Sequence, residues 1–194
     1  FSMNTTVTYG TIDIPISGNG TTDYKKINRR LGVILKTEKK EASFYLDSLF
    51  KIAKRKDNDT LKALYYYNKA KLFYYKNKID SSLKYNLKSN NVISKIGIDT
   101  LLAKSYNNIG INYLKKNDFE NTEKYFLKSI ELRKKLNMEK KLISAMNNLA
   151  ILYLRYDKYD KALEYNLELL KHYDKIDGEM GAAVTQYRIG NIYY

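Results

Sequence analysis

The chain has 194 residues, with 35 Lys and Arg against 21 Asp and Glu, and its formal net charge is +14. It contains 20 Tyr and no Cys, which excludes disulfide frameworks, zinc-thiolate sites and cysteine nucleophiles. Its one proline, Pro15, leaves every later residue without the strongest helix breaker, so a mostly helical chain is favoured.

Residues 1–22 are predicted to form an extended arm that ends in a linker. Apolar residues alternate at Ile12, Ile14 and Ile16, a period of two that is typical of extended chain, and a Gly-rich stretch follows. A non-native tag is an alternative interpretation of this segment. We also consider that the arm lies in a groove of this or a neighbouring molecule, which would be one route to self-association.

Residues 23–194 are predicted to form a repeat array with a period of forty. Gly110, Ala150 and Gly190 are forty apart, and a Tyr or Phe recurs three residues after the small residue. Each unit is predicted to be two amphipathic helices joined by a short turn, with the small residue at a close helix crossing. The predicted units are a degenerate repeat over 23–60, repeats over 61–100, 101–140 and 141–180, and the first helix of a fifth over 181–194.

These residues resemble the tetratricopeptide repeat (TPR) family. The family pattern of aromatic, Leu-Gly and Tyr in a first helix is met by Tyr106, Ile109-Gly110 and Tyr113, and Phe126 matches the aromatic of the second. The resemblance implies an all-α right-handed helical solenoid of about four and a half helix-turn-helix repeats. Because the period exceeds the usual ~34 residues, we expect the extra residues to lengthen the second helix and the turn between repeats.

The sequence shows no constellation of residues that would carry catalysis. His172 is the one histidine, and without a second His or a Cys it cannot form a metal site of the usual kind, so we interpret it as a solvated helix residue. Gly18 and Gly20 do not follow a strand-turn-helix pattern with a phosphate-binding lysine. We therefore expect no enzymatic activity, no metal and no cofactor.

A row of amide side chains is the strongest functional signal. Asn68, Asn108 and Asn148 precede the small residue by two, Asn28 has the same register position one repeat earlier, and Arg188 continues the row. An amide can donate to and accept from a peptide backbone, and the resemblance implies that first helices line a concave groove. The candidate groove residues are Asn68, Lys71, Tyr75, Lys104, Asn108, Lys115, Asn148, Arg155 and Arg188. In the alternative interpretation, pairs such as Asn107-Asn108 are packing residues that bond neighbouring helices.

The resemblance implies that the array binds a protein or an extended peptide, and the basic groove favours an acidic one. The residue pattern of its long repeats is similar to that of the sensory TPR regions of bacterial regulators. We therefore expect an interaction domain of a larger signalling or transcription regulator. A free-standing adaptor or assembly scaffold is the first alternative. The second is a basic nucleic-acid-binding array, in which bases would stack on a stripe made of Tyr65, Tyr66, Tyr67, Phe73, Tyr74 and Tyr75.

The sequence leaves the compartment and the oligomeric state open. No apolar run approaches the ~20 residues needed to cross a bilayer, so no membrane span is predicted in residues 1–194. The cytoplasm is favoured and the periplasm is the alternative, and the lack of cysteine does not distinguish the two. Self-association is expected through the arm or through the half repeat over 181–194.

Overall fold

The structure is a computed structural model that describes residues 30–35, 37 and 39–193. The predicted arm over 1–22, and with it the arm's role in self-association, lies outside the described residues. So does Asn28, the first member of the amide row. All other candidate groove residues are described.

The described chain is a succession of α-helices. Helix α1 contains residues 30–35, and the helices that follow are α2 (Lys39–Arg55), α3 (Asp59–Tyr75), α4 (Ile79–Ile96), α5 (Asp99–Lys115), α6 (Phe119–Lys135), α7 (Glu139–Arg155), α8 (Tyr159–Asp174) and α9 (Glu179–Tyr193). From α2 to α9, each helix packs against the next helix in the chain. This confirms the predicted all-α helical solenoid, while the numbered division into repeats stays a prediction.

The turns between helices are built alike and recur every twenty residues. One residue in each turn has a left-handed backbone, namely Asp57, Asn77, Gly97, Asn117, Asn137, Asp157 and Asp177. Asn and Asp enter this region more readily than other residues with a Cβ, and Gly enters it freely. In the turn after α3, the Asn77 N–H donates to the Tyr74 carbonyl at 2.9 Å and the Lys78 N–H donates to the Phe73 carbonyl at 2.9 Å. This pair of bonds is a Schellman motif, which ends one helix and aims the next.

The turns between repeats vary in length, whereas the turns within the repeats over 61–180 each have three residues. Residues 97–98, 136–138 and 175–178 join successive repeats, and residues 116–118 join α5 to α6 within one. The expected lengthening of the inter-repeat turn is therefore found only over 175–178. The period of forty arises mainly from two helices of nearly equal length.

The small residue of each first helix is explained by a close contact with the second helix. A Cβ added to Gly110 would lie 2.5 Å from the Cδ1 atom of Phe126, whose side chain is fully buried in α6. At the corresponding places, the preceding repeat has Ala70 with Asn86 and the following repeat has Ala150 with Asn166. A larger residue on one helix is thus matched by a smaller one on the other, which keeps adjacent helices in contact.

Candidate functional site

The amide row connects first helices of successive repeats. The Asn148 Nδ2 of α7 donates to the Asn107 Oδ1 of α5 at 3.0 Å. In the next repeat, the Arg188 Nη2 of α9 donates to the Asn147 Oδ1 of α7 at 2.9 Å. The Arg188 Nη1 also donates to Asn166 Oδ1 at 3.2 Å. Each of these row residues therefore bonds the Asn that precedes the row residue of the previous repeat.

Burial places these side chains between helices. Asn68 is 3% exposed, Asn108 1%, Asn148 7% and Arg188 8%. The Asn68 Nδ2 donates to the Leu64 carbonyl one turn earlier in its own helix at 3.0 Å. The geometry supports the alternative in which the row bonds neighbouring helices, because Asn148 and Arg188 each donate to side chains of other helices. Ligand binding by these four residues stays a prediction.

Asn108 departs from the bonding pattern of the row. Both its Nδ2 and its Oδ1 are buried, and neither has a hydrogen-bond partner among the described residues. The equivalent of Asn107 and Asn147 one repeat earlier is Tyr67, which has no amide oxygen to accept the bond. A buried amide without partners costs about 1–3 kcal/mol, so Asn108 marks a locally unfavourable place in the stack.

Two candidate lysines lie over tyrosine rings. The Lys71 Nζ is 6.0 Å from the centroid of the Tyr75 ring, and the Lys104 Nζ is 5.8 Å from that of Tyr67. Lys71 is buried, while Lys104 and Tyr75 are half-buried. Burial raises the pKa of Tyr75, with a smaller contribution from Tyr74. These cation–π contacts hold the two ammonium groups close to the helix surface.

Lys115 and Arg155 are exposed at the carboxyl ends of α5 and α7. The Arg155 Nη2 donates to the Asn117 Oδ1 in the turn after α5 at 2.7 Å. Of the nine candidates, therefore, Lys104, Lys115, Arg155 and Tyr75 present side-chain surface to a partner. Lys71 and Tyr75 are two candidates that the structure brings into contact.

The tyrosine stripe is largely covered by its own chain. Tyr65 and Tyr67 are 5% and 2% exposed, so they belong to the core. Phe73 stacks on Tyr85 with ring centroids 5.4 Å apart, and Lys88 Nζ lies 5.6 Å from the centroid of Tyr85. The next repeat copies this arrangement with Tyr113 stacked on Tyr125 at 5.6 Å, and with a lysine over the second ring. Rings covered in this way offer little open face on which a base could stack.

The surroundings of His172 differ from the sequence-based interpretation. Its side chain is 12% exposed, and its Nδ1 lies 2.5 Å from Glu139 Oε1. The interpretation as a solvated helix residue is therefore wrong, because α8 places this ring against the first turn of α7.

Within the described ranges, no group of three or more His, Cys, Asp or Glu is placed to hold a metal ion. Over the same ranges, no helix combines the length and the apolar character that a membrane span needs.

Two partners in the inter-helix network were missed from sequence. Asn166 accepts from Arg188, and Glu123 accepts from Tyr153 in a contact between α7 and α6. Asn147, which also accepts from Arg188, belongs to the Asn-Asn pairs of the alternative interpretation. Nothing in the local pattern around Glu123 indicates its partner, because the contact spans 30 residues.

Comparison with known proteins agrees with this geometry. Residues 101–175 match the tetratricopeptide repeat family model. The fold is similar to BtubC (BKLC) from P. vanneervenii, with a TM-score of 0.68, 17% identity and coverage of 88% of this chain and 82% of that one. It is also similar to a Signal Transduction ATPase with Numerous Domains (STAND) protein with a tetratricopeptide repeat sensor from Pyrococcus horikoshii.

For the STAND protein the TM-score is 0.73 and the identity is 22%, over 83% of this chain and 25% of that one. This chain therefore spans about a quarter of that protein's length. No curated protein sequence matches the chain. Residues 101–175 are thus similar to tetratricopeptide repeats, and they lie within an array whose described helices have a TPR-like all-α solenoid fold.

Proposed function

We propose that the chain binds a protein or an extended peptide along the face formed by its first helices. The observation that carries the proposal is the cross-linking of α5, α7 and α9 through the bonds of Asn148 and Arg188. A row of helices held in fixed relation presents a preformed surface, so little conformational freedom is lost on binding. The same bonds give Asn148 and Arg188 a structural role at this position in addition to any contact with a ligand.

The exposed candidates give this surface a basic character. Lys104, Lys115 and Arg155 lie on first helices, and the chain as a whole has a formal net charge of +14. Positive charge raises the association rate of acidic partners and adds charge-assisted hydrogen bonds on contact. An acidic segment is thus the preferred ligand class. The chain acts by binding, and no enzymatic step is part of the proposal.

The wider role that we propose is the sensory or interaction domain of a larger regulator. Support comes from the similar STAND protein, which is described as having a tetratricopeptide repeat sensor. A free-standing adaptor is the alternative. The two roles differ in whether binding of a partner to the array changes the activity of a domain joined to it.

The binding proposal is tested with peptides selected from a random display library on the immobilised chain. Affinity is then measured by fluorescence anisotropy for the wild type and for Lys104→Gln/Lys115→Gln/Arg155→Gln. We expect the triple variant to bind about tenfold more weakly, which corresponds to about 1.4 kcal/mol. The matched control is Lys51→Gln/Lys54→Gln/Lys95→Gln, which removes the same charge from exposed positions on second helices. Equal weakening in both variants would remove the first-helix face as the binding surface.

The nucleic-acid alternative is tested with a labelled oligothymidine in the same assay. Charge-driven binding weakens steeply with salt, and either triple variant would reduce it to the same extent. Tight oligothymidine binding together with failure to select any peptide would favour the nucleic-acid alternative over the proposed function.

A further inference from the structure

A polar cavity of about 560 Å³ opens at one edge of the array. Its walls are the end of α6, the turn over 136–138, the start of α7 and the end of α8. It contains none of the nine candidate groove residues. Its lining therefore calls for a separate explanation.

Arg133 is the unusual residue of this cavity. It is 5% exposed, and the equivalent positions in the two preceding repeats are the buried apolar residues Ala53 and Ile93. Its hydrogen bond among the described residues runs from Nη1 to the Lys141 carbonyl at 2.5 Å. Burial lowers the pKa of Arg133 to about 10, so the guanidinium is charged at neutral pH. A buried guanidinium with one neutral acceptor leaves most of its donors for another group.

Further cations line the same cavity. Lys171 and Lys175 are exposed on the last turn of α8 and just after it, and neither forms an ion pair with a described residue. Basic residues are favoured near helix carboxyl ends, which accounts for Lys171. That preference does not account for Arg133, since a core position is normally apolar.

The carboxylates of the cavity are already engaged. The Glu168 Oε1 accepts from Lys134 Nζ at 2.8 Å, and Glu139 Oε1 lies 2.5 Å from His172 Nδ1. Burial opposes ionisation of Glu168, but the hydrogen bond and charge of Lys134 outweigh it and lower the pKa of that carboxyl. Four cationic side chains thus face two carboxylates, and His172 is the remaining titratable group of the lining. The balance is positive before any contribution from His172.

The backbone adds to this positive character. Helix α7 starts at the cavity, and its N-cap residue Met138 makes no side-chain hydrogen bond to the first turn. The Lys141 N–H already donates to the Met138 carbonyl at 2.9 Å, so the N–H groups before it in this first turn are the donors that favour an anion. They lie beside Arg133, because the Arg133 bond reaches the Lys141 carbonyl of this same helix.

We propose that this cavity binds a compact oxyanion, the phosphate or carboxylate group of a ligand. Arg133 supplies the buried fork of donors, and Lys171 and Lys175 supply opposing charge at the mouth. Planar guanidinium groups bind both kinds of oxyanion through paired N–H donors. The site is independent of peptide binding on the first-helix face.

The test is a titration with sodium phosphate and, separately, with citrate, against sodium chloride at matched ionic strength. Binding is followed by isothermal calorimetry and by amide chemical shifts. We expect saturable binding of one anion or both, with perturbed amides at the start of α7. If only phosphate binds saturably, the site is assigned to a phosphate group. If only citrate binds saturably, the site is assigned to a carboxylate.

Two variants and one control decide the residue assignment. Arg133→Ile restores the apolar residue type of the equivalent position, so it should fold, and Lys171→Gln/Lys175→Gln changes exposed residues only. Each variant is expected to lower the affinity of the cavity for the anion by about tenfold or more. Lys51→Gln/Lys54→Gln removes the same charge from α2 and is expected to leave the affinity unchanged. A wild type that does not saturate, or saturation that all variants retain, would overturn the proposal whether or not the chain binds peptides.

Discussion

The ring of Phe126 fills the space that a Cβ on Gly110 would need, since such an atom would lie 2.5 Å from the ring carbon Cδ1. Gly110 belongs to α5 and Phe126 to α6, so the contact fixes how closely the two helices of one repeat approach. In the repeats on either side, Ala occupies the position of Gly110 and Asn occupies the position of Phe126. The larger side chain on α6 is therefore paired with a glycine on α5, and the smaller Asn of the other repeats is paired with an alanine.

This relationship predicts strong coupling between the two positions. Gly110→Ala alone should destabilise the fold by about 1–3 kcal/mol, because the new methyl group forces the ring aside. In the background of Phe126→Asn, the same Ala should be neutral or stabilising, since that combination reproduces the neighbouring repeats. A double-mutant cycle from urea unfolding measures the coupling, which we expect to exceed about 1 kcal/mol. Additive effects would show that the ring does not meet the glycine.

The amide row predicts opposite outcomes for two asparagines. Asn148→Leu should destabilise the array by about 1–2 kcal/mol, because Asn107 Oδ1 would lose its buried donor. Asn108→Leu should be neutral or stabilising, because both amide atoms that it removes lack partners among the described residues. Chemical denaturation with circular dichroism compares them. If both variants lost the same stability, Asn108 would have to possess a partner that balances its burial.

Acid sensitivity is expected to depend on Glu123. Its Oε1 accepts from Tyr153 Oη at 2.7 Å and from Lys161 Nζ at 3.0 Å. Burial alone would raise the pKa of Glu123, but these two donors outweigh it and hold the pKa below its ordinary value. Since the pKa is lower in the folded state, the carboxylate stabilises the fold above its unfolded value of about 4.3. This stability is lost as the pH falls through the folded value.

Glu123→Gln should accordingly cost about 1 kcal/mol at neutral pH, and the difference from wild type should shrink as the pH falls below about 4.3. Urea unfolding over a series of pH values measures the trend. Glu131→Gln is the control, because Glu131 is an exposed residue of the same helix. A difference between Glu123→Gln and wild type that is constant with pH would contradict the assignment.

The turn geometry predicts that two Asn→Ala substitutions change the stability of the chain in opposite directions. Asn77 has a φ of 56°, a region that costs a residue such as Ala about 1–2 kcal/mol, so Asn77→Ala should destabilise the chain. Asn91 is exposed and helical in α4, where Ala is the better helix former, so Asn91→Ala should stabilise it. Thermal unfolding of the two variants gives the comparison. Asn77→Gly should be tolerated, and stabilisation by Asn77→Ala would contradict a left-handed turn.

The fold could be predicted from the sequence because the residues that determine it recur at regular intervals. Small residues at 110, 150 and 190 fix the period, and helical spacing of apolar residues fixes the element type. Turn length was not predictable in this way. The local sequence does not show whether the extra residues of a long repeat belong to a helix or to a turn. An Asn such as Asn137 occurs in both.

The candidate site was predicted less well, for a geometric reason. The spacing of the asparagines shows that Asn148 recurs on one helix face, but that face can meet a groove or the next helix. The choice depends on how the helices cross, and the bond to Asn107 shows the second outcome. Arg133 could have been noticed, since aligning the repeats places it over Ile93 and Ala53. Its burial could not, because a charged residue at a core position is usually assigned to the surface.

The recurring left-handed turns bear on how such a chain can change length over evolution. Gly97 and Asn137 hold the same left-handed conformation forty residues apart, each between a second helix and the first helix that follows. Recombination between the gene segments that encode these turns would delete or duplicate one whole helix pair while leaving an intact junction. Nearest-neighbour packing in a solenoid then stabilises the shortened or extended product. The reach of the array is thereby a heritable variable that selection can adjust in whole repeats.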